Sequence, residues 1–127
     1  MWSQRYEQIN AFERLLAESG TVVLKFFLHI SKEEQKRRFA ERIADPRKHW
    51  KLAAGDFEVR KRWNDYMKAY EAALTRCNTE WAPWFVIPAN KKWYRNLAVS
   101  EIIVETLEGL RMKFPKPQVD VSKIRLV

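Results

Sequence analysis

The ten residues TVVLKFFLHI, Thr21 to Ile30, constrain the fold more than any other stretch. They are β-branched and aromatic, about one strand long, and apolar almost without alternation. A strand with one face in water alternates apolar and polar side chains. A near-continuous apolar run is the pattern of a strand covered on both faces, as in a parallel sheet between helices. Such a strand needs neighbours at its edges and helices over both faces.

The flanking segments supply helices. Ile9, Phe12, Leu15 and Leu16 fall at helical spacing within Ser3 to Ser19, and Gly20 stands where a C-cap belongs. After the strand, Ser31 and Glu34 form an S-x-x-E capping box, and the helix runs to Ala44. Pro46 disfavours helical geometry at Asp45 and marks its end. A loop, Asp45 to Gly55, leads to a long helix from an Asp56 N-cap to Cys77. Its apolar stripe is Val59, Trp63, Tyr66, Met67, Tyr70, Leu74 and Cys77. A second strand is predicted at Trp84 to Ile87 and a last helix at Lys91 to Glu108, closed by Gly109. The tail from Phe114 has two prolines and no period.

The expected fold class is therefore α/β, in the order helix, strand, helix, helix, strand, helix, with a parallel sheet and right-handed crossovers. Two strands make a poor sheet, so the chain reads as the second part of a larger α/β domain. Residues 1–113 form that part and 114–127 a C-terminal tail.

Charge narrows the partners. The 127 residues carry a formal charge of +8, which implies an anionic ligand: a phosphorylated molecule, a nucleic acid or an anionic surface. Cys77 is the single cysteine, which excludes a disulfide framework and a cysteine-based metal site. No signal peptide is visible and no apolar run reaches a membrane-spanning length, so no membrane role is expected and the cytoplasm is the default compartment.

The positive charge is concentrated. Between Lys32 and Arg62 there are eleven basic and six acidic residues, a surplus of five out of the chain's eight. Arg38 and Arg42 stack on one helix row beside the apolar row of Phe39 and Ile43. Three readings stand: a solvated face with i,i+4 pairs such as Glu34 with Arg38, a phosphate-binding lid of guanidinium forks, or a nucleic-acid surface. The last has no known sequence motif behind it, and the six tryptophans sit mostly at core-like spacing.

The segments KFFLHISKEEQ, DPRKHWK and TEWAPWFVIPA together resemble the polyphosphate kinase 2 family, over about Gln4 to Pro115. The resemblance implies a P-loop kinase fold with a helical lid. It also implies phosphoryl transfer between inorganic polyphosphate and a nucleotide (AMP, ADP or GDP), with Mg²⁺ as cofactor. Ser31 to Arg62 then corresponds to the lid. The family's lid arginine maps onto Arg42, with Arg38 one turn earlier, and Lys48, Lys51, Arg37 and Arg60 are the polyphosphate contacts. One departure is plain. The three glycines, Gly20, Gly55 and Gly109, form no G-x-x-x-x-G-K motif, and the family's Walker A and Asp-Arg-Ser-Trp-Tyr-Asn-Arg segments have no counterpart. The chain thus resembles a C-terminal half, expected to be inactive alone and to form a homo-oligomer or meet a missing N-terminal half. The alternative is a non-catalytic polyanion- or nucleic-acid-binding module.

Smaller features have plain readings. His29 is a strand-end histidine, His49 a loop histidine, and Cys77 a small core residue near a helix end. Trp81, Pro83 and Trp84 pack around a strand start. The loop Pro88 to Lys92 is a candidate to approach a nucleotide base. Asp45, Asp56 and Asp65 lack paired metal-ligand spacing.

Overall fold

In the computed structural model, which describes residues 2–120 and 124–125, two parallel strands are flanked by five helices. In chain order these are α1 (Trp2–Glu18), β1 (Lys25–His29), α2 (Lys32–Ala44), a 3-10 helix (Pro46–Lys51), α3 (Ala54–Lys61), α4 (Trp63–Arg76), β2 (Trp84–Pro88) and α5 (Lys92–Gly109). The remaining residues of the predicted tail, 121–123 and 126–127, lie outside the described set.

α1 ends as its glycine requires. Gly20 has φ 85°, a conformation that costs an L side chain strain. That turn lets the Thr21 amide donate to Leu16 O (3.0 Å) and the Gly20 amide to Ala17 O (3.0 Å), satisfying two carbonyls of the last turn.

β1 is shorter than the apolar run predicts. It pairs in parallel with β2 in the register Lys25↔Trp84 to His29↔Pro88, and the Lys25 amide donates to Pro83 O (3.1 Å). Pro83 has no N–H to offer, so the ladder starts there and Thr21 to Leu24 stay outside it. The outer edges of both strands are unpaired among the described residues.

Three other expectations are corrected. Asp45 to Gly55 is not an open loop, because Pro46–Lys51 forms the 3-10 helix, with the Asp45 side chain accepting from the Arg47 amide (3.2 Å). The predicted Asp56–Cys77 helix is two helices. It starts earlier, so Asp56 lies in the first turn and its carboxylate accepts from the Ala53 amide (3.1 Å). It also breaks at Arg62 (φ −92°, ψ 24°). Different elements hold the two pieces: Arg60 ties α3 to the start of α2, whereas α4 meets β1 through Tyr70 against Phe27. Finally, Ile43 is 53 % exposed rather than packed, and its neighbour Phe39 stacks on Phe57 of α3 (centroids 5.5 Å apart).

The buried apolar side chains are small and few: Cys77, Ala82, Ile87 and Ala89. At their edge Lys25 holds the layers together. Its Nζ lies 2.6 Å from Glu13 Oε2 on α1 and 2.6 Å from the Cys77 carbonyl at the end of α4. It also sits 5.2 Å from the ring centroid of Trp84 on β2. Large apolar side chains elsewhere stay open, among them Phe12, Leu15, Val22, Leu28 and Val86. The chain exposes 10898 Å². A folded monomer of this mass exposes about 7,100 Å². Exposed large apolar side chains lie around Phe114, on α1, α5 and the sheet, and also on the helices between the strands, such as Trp50, Tyr66 and Tyr70.

Replacing Lys25 by Met should destabilise the fold by about 3 kcal/mol, because it strands the Glu13 carboxylate. Both side chains of the pair are only 12 % exposed, so water does little to compensate. The double change Glu13→Gln with Lys25→Met should recover part of the loss. Urea unfolding of wild type and the two variants measures it, and equal midpoints for wild type and Lys25→Met would refute the clamp.

Candidate functional site

The C-terminal ends of β1 and β2 lie side by side, where open parallel sheets place their ligand crevices. Two interactions fix this end. The Ser31 amide donates to Asn90 Oδ1 (2.9 Å), and the Asn90 amide nitrogen lies 3.4 Å from Ser31 Oγ. The Arg38 guanidinium donates to the carbonyls of Ala89 (2.7 Å) and Asn90 (3.2 Å), which anchors α2 to the loop after β2. Ser31 caps α2 by accepting from the Glu34 amide (3.1 Å). The return half of the predicted capping box is not made. The Ser31 amide is taken by Asn90, and the Glu34 carboxylate turns to Arg37 (2.6 Å) and Arg38 (2.7 Å).

The six cations predicted from the sequence separate into two groups. Four are engaged. Arg38 is tied as described. Arg37 bonds Glu34 and Glu41 on its own helix. Arg60 donates to Lys32 O (2.8 Å) and Gln35 Oε1 (2.9 Å). Lys48 pairs with Asp45 (3.1 Å). Among the described residues the other two have no carboxylate partner. The Arg42 guanidinium lies over the Phe39 ring at 5.6 Å, and the Lys51 ammonium over the Trp50 ring at 5.0 Å. Arg42 is half-buried on the last turn of α2, and Lys51 ends the 3-10 helix.

Two carboxylates of this segment are held ionised by the cations around them. Hydrogen bonds from Arg37 and Arg38 lower the Glu34 carboxyl to about 2, against an ordinary 4.5. Arg47 and Lys48 lower Asp45 to about 2, against 3.8. The Arg37 guanidinium is raised by Glu34 and Glu41. Burial pushes the Cys77 thiol up, as expected for the small core residue the sequence suggested. His49 is not simply solvated: its Nε2 lies 2.9 Å from Ile43 O, at the carbonyl end of α2.

Two hollows meet at this end. One, of about 230 Å³, opens between the end of β1 and helices α3 and α4, with aromatic walls from Phe27, Trp63, Tyr66 and Tyr70. The other is a shallow groove on α2 lined by Lys32, Lys36, Arg37 and Arg60, with Glu33 also present. Arg60 borders both. The aromatic hollow is what sequence reasoning missed. Trp63, Tyr66, Met67 and Tyr70 read as a core stripe, yet no residue of α4 is buried and the stripe faces open space beside β1. A run of three ring-bearing residues, two of them with phenolic hydroxyls, was the available signal. Among the described residues no group of three or more His, Cys, Asp or Glu side chains is placed to hold a metal ion.

A parallel sheet flanked by helices, with the carboxyl ends of its strands side by side, is the arrangement of a P-loop-kinase-like fold. The family model of polyphosphate kinase 2 matches residues 1–115, and the chain belongs to that family. The chain superposes on the crystal structure of polyphosphate kinase 2 from Arthrobacter aurescens TC1 with a TM-score of 0.90 and 48 % identity, over 94 % of this chain and 42 % of that one. It is 56 % identical to the AMP/ADP-polyphosphate phosphotransferase of Meiothermus ruber, over 98 % of this chain and 46 % of the relative. A Leptolyngbya boryana relative, described as an uncharacterized protein in the chlN 3′ region, is 48 % identical, over 98 % of this chain and 89 % of the relative. The chain thus spans about half the length of the Meiothermus ruber phosphotransferase and of the solved kinase. No helix among the described residues is long and apolar enough to cross a membrane.

The Glu34 cluster makes a pH prediction. A carboxyl whose folded value is depressed contributes stability above its unfolded value, near 4.5, and loses it as pH falls through about 2. Acid should therefore loosen α2 from the sheet between those limits. Carboxyl NMR titration is expected to place the Glu34 midpoint near 2. Glu34→Gln should flatten part of the acid dependence of unfolding. A midpoint near 4.5 would mean that the Arg37–Glu34–Arg38 cluster does not persist in solution.

Proposed function

We propose that this chain is the lid-bearing portion of a phosphotransferase that moves a phosphoryl group between inorganic polyphosphate and a nucleoside mono- or diphosphate such as AMP, ADP or GDP. Family membership supports the reaction class. The observation that carries the assignment within the chain is Arg42. It is held on a helix against Phe39, with no carboxylate among the described residues to neutralise it.

In phosphoryl transfer the protein chiefly positions the reactants and stabilises charge on the transferring group. A guanidinium offers two parallel N–H donors to phosphoryl oxygens, and fixing it on a helix leaves less entropy to lose on binding. Arg42 is suited to that role at the reacting phosphoryl. Lys51, and Lys48 once released from Asp45, suit the polyphosphate chain as point charges. Arg37, Arg38 and Arg60 are satisfied by protein groups, Arg38 and Arg60 by groups that tie the lid's elements in place and Arg37 by carboxylates of its own helix, so any phosphate contact requires exchange of those partners. Mg²⁺, which the family implies, would neutralise charge on the phosphates. The described residues offer it no carboxylate cluster.

The rest of the machinery lies outside this sequence, which contains no glycine-rich phosphate loop. We therefore place residues 1–113 as one part of the working enzyme. The open strand edges and exposed apolar faces favour completion by a further segment or a second copy. The cytoplasm, the default compartment expected from the sequence, is its proposed location.

Purified alone with Mg²⁺, polyphosphate and AMP, ADP or GDP, the chain should give no turnover above a heat-killed control. Polyphosphate binding should still weaken with salt, because cations on the lid displace counterions from the polyanion. Titrations of wild type, Arg42→Ala and Lys116→Ala at two salt concentrations test the assignment. Arg42→Ala is expected to lose several-fold more affinity than Lys116→Ala, whose side chain lies in the extended segment. Equal losses would reduce the interaction to diffuse charge and refute the lid role.

A further inference from the structure

Arg42 is held by a ring, and that ring is held by another. The Arg42 guanidinium carbon lies 5.6 Å from the ring centroid of Phe39, one turn earlier on α2. The Phe39 ring lies 5.5 Å from that of Phe57 on α3, with the two planes 37° apart. α3 is fastened to α2 a second time by Arg60, which donates to Lys32 O and Gln35 Oε1. Phe57 and Arg60 stand one turn apart on α3, as Gln35 and Phe39 do on α2, so α3 runs back along α2 as a brace. Along α2 a carboxylate could reach Arg42 from one position only. Of its neighbours three and four places away, Arg38, Phe39, Asp45 and Pro46, Asp45 alone is acidic. That carboxylate is already taken by Arg47 (3.0 Å) and Lys48 (3.1 Å). Phe39 is half-buried rather than part of the core, so a leucine would fill the same place. What a leucine lacks is a π-face.

We propose that Phe39 and Phe57 are positioning residues for the Arg42 guanidinium: the Phe39 ring fixes its direction without neutralising it, and Phe57 fixes the Phe39 ring. The proposal rests on the reading of Arg42 as a phosphoryl-binding group and adds the groups that act through it. A ring suits this task better than a carboxylate. A carboxylate that fixed the guanidinium would compete for it, and an incoming phosphate would have to displace that partner. The π-face attracts the cation and takes none of its N–H donors. The Arg42 N–H groups make no hydrogen bond among the described residues, so they stay open to phosphoryl oxygens. Ordering a loose arginine at the moment of binding would weaken affinity about two- to tenfold, and a ring that orders it beforehand removes that loss. Phe57 acts at one remove. It meets Phe39, and Arg60 ties its helix to α2 independently, so the helix pair sets the ring direction before any ligand arrives.

The test is titration of the full chain with inorganic polyphosphate, joined to NMR of the arginine side chains. Phe39→Leu keeps the apolar volume and removes the π-face. It should weaken polyphosphate binding about two- to tenfold, and Phe39→Tyr should bind like wild type. In an Arg42→Ala background Phe39→Leu should cost nothing further, because its effect passes through the guanidinium. The Arg42 Nε–H and δ-methylene signals should carry a ring-current shift that Phe39→Leu abolishes, Phe39→Tyr retains and Phe57→Leu reduces. The backbone amide signals of β1 and β2 report whether each variant keeps the fold. If Phe39→Leu unfolds α2, Phe57→Leu decides by the same shift and the same titration, and unmoved Arg42 signals in it overturn the brace. The proposal is also overturned if Phe39→Leu binds polyphosphate like wild type, if Phe39→Tyr loses as much as Phe39→Leu, or if the loss persists in full without Arg42. Should Arg42→Ala lose affinity while Phe39→Leu does not, the positioning role falls and the lid role of Arg42 survives. Should Arg42→Ala bind like wild type, or wild type not bind at all, both fall for this chain.

Discussion

The Lys25 ammonium is the interaction on which the arrangement depends. One cation at the first paired position of β1 touches α1 through Glu13, the end of α4 through the Cys77 carbonyl, and β2 through the face of Trp84. In a molecule whose buried apolar side chains are so few and small, packing alone supplies little direction. A partly buried ion pair compensates by geometry: its desolvation is tolerable only when every donor is used, so it defines where the surrounding elements must stop. Placing β1 against β2 in a single register then aligns the carboxyl ends of both strands, and with them the site.

The segment Ser31 to Arg62 follows the same logic on its exposed side. Its surplus charge is not uniform. Glu34 collects Arg37 and Arg38, Asp45 collects Arg47 and Lys48, and Arg60 is spent on α2. The pairs of Arg37, Arg47 and Lys48 are weak as stabilisers, since those cations are largely solvated, but together with the more buried Arg38 pair they decide which positive groups remain for a ligand. Arg42 and Lys51, each resting on an aromatic ring, are what is left among the predicted contacts. A ring can hold a cation in place without neutralising it, which a carboxylate cannot do.

Much of this was legible in the residues. The apolar run at Thr21 to Ile30 predicts a parallel strand, although the observed one is shorter and none of its residues is buried, Gly20 predicts the end of α1, and Ser31 with Pro46 brackets α2 within a residue or two. The resemblance in DPRKHWK and TEWAPWFVIPA led to the family. What failed did so for identifiable reasons. The break at Arg62 has no proline or glycine to announce it, because it arises from α3 and α4 being bound to different neighbours. The return arm of the Ser31–Glu34 box is absent because Asn90, 59 positions away, takes the Ser31 amide. The α4 stripe looks like core at the level of periodicity, since the same spacing lines a closed interior or an open hollow.

The sequence by itself therefore determined the elements, their order, the family and the location of the positive charge. These depend on near-neighbour sterics, on hydrophobic period and on composition, all of which are local. Tertiary structure decided which cations are free, where the long helix breaks, and whether an aromatic stripe meets a wall or a cavity. Each of those depends on a partner tens of residues distant: Ala89 and Asn90 for Arg38, Lys32 for Arg60, Phe27 for Tyr70. A side chain's charge is written in its own residue type, but its availability is set by what the folded chain brings within hydrogen-bonding reach.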